Sequence, residues 1–86
     1  MSSETVPIVS VRQIKAGRVL LGWSQLDLAA AAKIGVGTLK RLEAGDTDKP
    51  LGGREKTTVA VISALVAAGV SFDLSEGSGP GVRIRE

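Results

Sequence analysis

The chain has 86 residues, a formal net charge of +2 and neither cysteine nor histidine. Hydrophobic residues make up 43% of it and aromatic residues 2%, so we expect one domain with an aliphatic core. The missing residue types exclude disulfides and cysteine-bound zinc, and they remove the commonest general base, so neither an enzyme nor a metal or cofactor site is expected.

The first ten residues are predicted to form a lead-in to the first helix. No basic run precedes an apolar one there, so a secretory signal is not expected. The longest uncharged stretch, Thr57 to Phe72, is shorter than the roughly 20 residues of a membrane-spanning helix. These features predict a cytoplasmic protein without a membrane partner.

The first helix is predicted over residues 11–21. Ser10 precedes it as an N-cap, and Gly22 follows it as a natural stop. Between them, one helical stripe contains Val11, Ile14, Arg18 and Leu21. Because this stripe is otherwise apolar, Arg18 needs a partner for its charge.

Two short helices follow, joined by a tight turn. Ser24-Gln25-Leu26-Asp27 has the form of a capping box, and the run from Leu28 to Ala32 favours a helix over about 25–32. Lys33-Ile34-Gly35 interrupts the pattern, and a third helix is predicted over about 36–44. This spacing is typical of a helix-turn-helix.

A loop is predicted over residues 46–57, and a fourth helix from Thr57 or Thr58 to Ala68. This helix is apolar on every side except at Ser63, so it requires burial on every side. Two interpretations are open. The chain itself wraps the helix, or, as we favour, a second copy of the chain covers one face.

The last part of the chain alternates between apolar and polar residues, which predicts a β-hairpin with strands at about 70–74 and 81–85. An isolated hairpin is marginal in water. It must therefore pack on the fourth helix, pair with the N-terminal segment or pair across a dimer, and it is a possible dimerisation element.

The stretch Ser24-Gln25-x-Asp27-Leu28-Ala29, followed after nine residues by Leu39-x-Arg41-Leu42-Glu43-x-Gly45, resembles the lambda-repressor-like (Xre/Cro-like) helix-turn-helix family. The resemblance is good over about 11–45 and loose over 58–85. It implies a mostly α, four-helix DNA-binding domain over residues 11–69, followed by the hairpin over 70–86. Double-stranded DNA is the implied partner.

The resemblance also implies roles for individual residues. Gln25 would contact the DNA backbone, and Arg18 and Glu43 would form an ion pair between the first and third helices. The third helix would enter the major groove, with candidate DNA-reading residues Val36, Gly37, Thr38, Lys40 and Arg41. Arg41 is the best candidate, because a guanidinium can bind O6 and N7 of guanine together.

Further basic residues are candidate phosphate contacts, namely Arg12, Lys15, Arg18, Lys49 and Arg54. For Arg12 and Lys15, ordinary solvated surface charge is the alternative. Lys33 occupies a turn position where the family often has glycine, so a positive φ there would cost about 1 kcal/mol. The stretch Gly35-Val36-Gly37 is poor in polar DNA-reading side chains.

The sequence therefore predicts a DNA-binding transcriptional regulator, most simply a homodimeric repressor that occludes a promoter. Its dimer contact would be the fourth helix and the hairpin. The alternative is a protein-interaction module that retains the helix-turn-helix fold, as an anti-activator or an antitoxin-like adaptor would.

Overall fold

A computed structural model describes residues 9–45, 55–73 and 81–84 of the chain. Four helices precede a two-stranded antiparallel hairpin, which confirms the predicted mostly α fold class. The elements are α1 (Val11–Leu20), α2 (Gln25–Ala32), α3 (Val36–Glu43), α4 (Glu55–Ala67), β1 (Val70–Asp73) and β2 (Gly81–Ile84).

Local hydrogen bonds explain where α1 and α2 begin. The Ser10 hydroxyl accepts from the backbone N–H of Gln13, whose side chain accepts from the backbone N–H of Ser10. Ser24 and Asp27 make the same reciprocal pair at α2. Both helices therefore begin with satisfied N–H groups, as a capping box provides.

The turn after α2 contains a strained residue, Lys33, at the position where the family often has glycine. Lys33 has φ of 60° and ψ of 44°, and it is the one described non-glycine residue with a positive φ. Its backbone N–H still closes the end of α2 on Ala29 and Ala30. The chain therefore accepts a left-handed lysine to turn from α2 into α3.

The predicted start of α4 is wrong. The helix begins at Glu55 and not at Thr57 or Thr58, so the end of the predicted loop is helical. Glu55 and Lys56 are good helix formers, and an acidic residue in a first turn is favoured by the helix dipole. Residues 46–54 of that loop, including Lys49 and Arg54, lie outside the described part of the chain.

An aliphatic core fills the space between the helices. Ile14, Leu28, Leu39, Val61 and Leu65 are all fully buried. The single tryptophan, Trp23, is half-buried and packs against this core from its edge. None of the described helices is long and apolar enough to cross a membrane.

The hairpin packs within its own chain. β1 contacts α4, and β2 contacts α1, a surface that the sequence interpretation did not consider. At Gly17 of α1, an added Cβ would lie 3.2 Å from Cγ1 of Val70, so glycine gives the hairpin the room to approach. The amide nitrogen of Gln13 donates to the carbonyl oxygen of Gly81 at 2.9 Å.

One face of α4 stays uncovered by the described residues. Val61, Ile62 and Leu65 are buried, whereas Val59 is 40% and Val66 is 42% exposed. The described residues therefore cover α4 on one side, and on the other side α4 presents Val59, Val66 and Ala67 together with Ser63.

Candidate nucleic-acid interface

α3 lies on the domain surface with one side held in the core. Leu39 is fully buried and the Glu43 side chain is 2% exposed. On the other side, Gly37, Lys40 and Arg41 are exposed. Thr38 is half-buried, and Val36 is half-buried because it packs against the core. All five candidate DNA-reading residues are therefore on one short helix, whose orientation is set by its two buried residues.

An ion pair ties the end of α3 to α1. The Arg18 Nε donates to Glu43 Oε2 at 2.9 Å, and Arg18 Nη2 donates to Glu43 Oε1 at 3.0 Å. The third guanidinium nitrogen, Nη1, donates to the carbonyl oxygen of Trp23. The structure thus brings together the two residues for which the family resemblance implies a pair, in a two-pronged geometry.

Gln25 joins the same group of side chains. Its amide nitrogen donates to Glu43 Oε1 at 3.0 Å, so Glu43 accepts three hydrogen bonds. One N–H of the Gln25 amide is therefore used inside the protein, and its second N–H makes no hydrogen bond to the described residues. Sequence reasoning missed this contact, because nothing local to Gln25 indicates a partner on another helix.

Arg41 makes a weak contact along α3. Its Nη2 lies 3.4 Å from the hydroxyl oxygen of Thr38, one turn earlier. Both side chains occupy the surface, so this long hydrogen bond leaves the guanidinium free to exchange it for a base edge. Arg41 and Thr38 are thus already adjacent.

Several exposed cations lie on the described helices and on β2. The exposed charged residues whose side chains the structure describes are the acid Asp27 and the cations Arg12, Lys33, Lys40, Arg41, Lys56 and Arg83. The Asp27 carboxylate is bound to the backbone N–H of Ser24. Lys15 is half-buried on α1, and Arg18 is 16% exposed. The side chains of the acids Glu4, Asp46, Asp48, Glu55, Asp73, Glu76 and Glu86 lie outside this description, and the full chain has a net charge of +2. What the structure contributes is the position of Lys40 and Arg41, which are exposed on α3 and can meet a polyanion there.

The sequence interpretation also missed Gln13. This side chain is 5% exposed, and it joins the N-terminus of α1, at Ser10, to β2, at Gly81. The spacing of Ser10 and Gln13 is a capping-box signal that could have been read from the sequence. Its bond to Gly81 has no such signal.

Residues 14–52 match the model of a protein family described as helix-turn-helix. Among the described elements, the matched segment contains α1 from Ile14 onward, α2, the turn and α3. No curated protein matches the chain.

Proposed function

Because residues 14–52 belong to the Xre/lambda-repressor-like helix-turn-helix family of DNA-binding regulators, we propose that this protein is a sequence-specific transcriptional repressor acting as a homodimer. The observation that carries this proposal is the outward side of α3, with Arg41 and Thr38 adjacent on it. Leu39 and Glu43 hold the opposite side of the helix in the domain.

α3 is the proposed recognition helix and enters the major groove. Arg41 reads guanine through its two-pronged donors, and Thr38 bonds a base or a phosphate. Val36 meets a thymine methyl group, Gly37 allows a close approach, and Lys40 adds positive charge. One strong base contact together with several weaker ones would let each copy of α3 recognise a short DNA sequence, which is one half of the operator.

Phosphate contacts position the helix in the groove. The free N–H of Gln25 and the remaining guanidinium N–H groups of Arg18 are next to α3, because both side chains bind Glu43. Arg12 and Lys15 on α1 are further candidates, with Lys49 and Arg54 in the segment outside the described residues. These contacts give affinity without sequence preference.

The proposed dimer contact is the uncovered face of α4. Val59, Ile62, Ser63, Val66 and Ala67 line an apolar groove of about 310 Å³ there. Packing two such faces would remove the exposed valines from water, a gain of roughly 25 cal/mol per Å² of apolar surface. The hairpin can join this contact only through its outer side, because its apolar side already packs on α1 and α4.

A two-fold dimer would place two recognition helices in successive major grooves, about 10–10.5 base pairs apart or a multiple of that. The dimer would then repress transcription by occupying the promoter, because a protein bound across a promoter blocks RNA polymerase. We propose the cytoplasm as the place of this activity, where such a regulator would meet its operator.

Fluorescence anisotropy of labelled duplexes tests the function. The wild-type protein and Arg41→Ala are compared on the duplex upstream of the protein's own gene and, if needed, on a sequence selected from a randomised pool, each against a scrambled duplex. Arg83→Ala is the matched control, because it removes the same charge from an exposed residue on β2.

We expect Arg41→Ala to lose about tenfold or more in affinity for the specific duplex and little for the scrambled one. Arg83→Ala should retain the discrimination between the two. If wild-type binding is equal on both duplexes and vanishes at physiological salt, the protein is not a sequence-specific regulator. The protein-interaction module then becomes the better interpretation.

A further inference from the structure

We propose that Gly37 is the point where the recognition helix comes closest to DNA, so that the missing side chain is required by binding and not by the fold. The inference rests on the proposed function and adds a specificity determinant to it. It predicts that a single methyl group added at this position raises the stability of the fold and lowers the affinity for the specific DNA sequence.

The fold has room for a side chain at Gly37. An added Cβ would have no heavy atom within 4 Å, apart from its own chain neighbours and helix backbone. The residue lies inside α3, and it is not among the described glycines with a positive φ, which are Gly22 and Gly69. Glycine inside a helix is less stable than alanine, and no contact within the described structure requires it here.

Gly17 shows the contrast. It is the other glycine within a described helix, and its added Cβ would lie 3.2 Å from Val70 Cγ1 and 3.6 Å from Val82 Cγ2. Packing of the hairpin therefore explains the glycine at position 17. At position 37, no packing contact within the described structure explains the glycine.

Gly37 also lies close to Arg41 along the exposed side of α3. It precedes Arg41 by one helical turn, and both are exposed on the side of the helix opposite the buried Leu39 and Glu43. The Arg41 side chain reaches back toward this turn, where its Nη2 lies 3.4 Å from Thr38 Oγ1. The gap left by Gly37 is thus on the same side of α3 as the guanidinium that is proposed to read a base, and more than 4 Å from it.

A base edge in the major groove can fill this gap when Arg41 binds its own base. A methyl group at position 37 would occupy the same space and move the helix out of the groove. The affinity should be lost at the base contacts, because phosphate contacts from flexible basic side chains tolerate a small displacement. Specific binding therefore weakens more than non-specific binding.

The test compares Gly37→Ala with Gly17→Ala in the full chain. Thermal unfolding and anisotropy are measured for both, with the sequence that the wild-type protein selects from a randomised duplex pool and with a scrambled duplex. We expect Gly37→Ala to raise the melting temperature by about 2–8 °C, as expected for a glycine-to-alanine change in an open helical position. Its affinity for the selected duplex should fall about tenfold, with less than about twofold change on the scrambled one.

Gly17→Ala should have a melting temperature below that of Gly37→Ala. Its preference for the selected duplex over the scrambled one should not change. Two results for Gly37→Ala would overturn the inference: a lower melting temperature, or a raised one with unchanged specific affinity. If the wild-type protein selects no sequence at all, the proposed function fails, and this inference fails with it.

Discussion

Removing the charge of Glu43 should destabilise the domain severely. Its carboxylate is 2% exposed and accepts from Arg18 Nε, Arg18 Nη2 and Gln25 Nε2. Glu43→Gln keeps the shape but leaves the Arg18 guanidinium, 16% exposed, without its counter-ion. Breaking a buried pair in this way costs about 3–5 kcal/mol, and the lower end applies because Arg18 retains some contact with water.

A loss of about 3 kcal/mol is large for this chain. An 86-residue domain has a free energy of unfolding on the order of 4–13 kcal/mol. The melting temperature of a domain of this size falls by about 4–8 °C per kcal/mol, so Glu43→Gln should lower it by roughly 12–24 °C. The proposed DNA binding should weaken as well, because α3 loses the ion pair that ties its end to α1.

Urea and thermal unfolding measure this loss. Arg83→Gln serves as the control, since it removes one charge from an exposed position. The double variant Arg18→Met with Glu43→Leu should recover much of the stability, because neither charge is then buried alone. A loss below about 1 kcal/mol for Glu43→Gln would refute this reasoning and place the pair among weak surface pairs.

Two further changes test the turn and α4. Lys33→Gly should stabilise the fold by about 1 kcal/mol in urea unfolding, because Lys33 has a φ of 60° that glycine adopts freely. Lys33→Ala keeps the strain, and an equal gain from it would show that φ is not the cause. Val66→Asp should give a folded monomer by sedimentation, because Val66 is 42% exposed in a single chain. The same change at Val19, 65% exposed on α1, should leave the proposed dimer intact, and a dimeric Val66→Asp would exclude this face of α4 as the contact.

The candidate DNA-binding face was largely predictable from the sequence. The helical period placed Leu39 inward, and the exposed residues of α3 are those that the sequence proposed as DNA-reading candidates. Whether they contact DNA stays a prediction. Gln25 shows the limit of such reasoning, because its hydrogen bond to Glu43 joins residues that only the packing of α2 against α3 brings together.

The sequence by itself determined the features whose causes are local. The capping boxes at Ser10 and Ser24, the stop at Gly22 and the strained turn at Lys33 each depend on residues within a few positions. A short stretch of sequence contains both partners of such contacts, so its pattern is enough to predict them.

Only the tertiary structure decided where these elements meet. Gln13 and Gly81 are 68 positions apart, and their hydrogen bond fixes the hairpin on α1 and not on α4 alone. The apolar face that α4 leaves uncovered likewise depends on which elements reach it. Contacts between distant residues depend on the packing of the whole core, which no local pattern encodes.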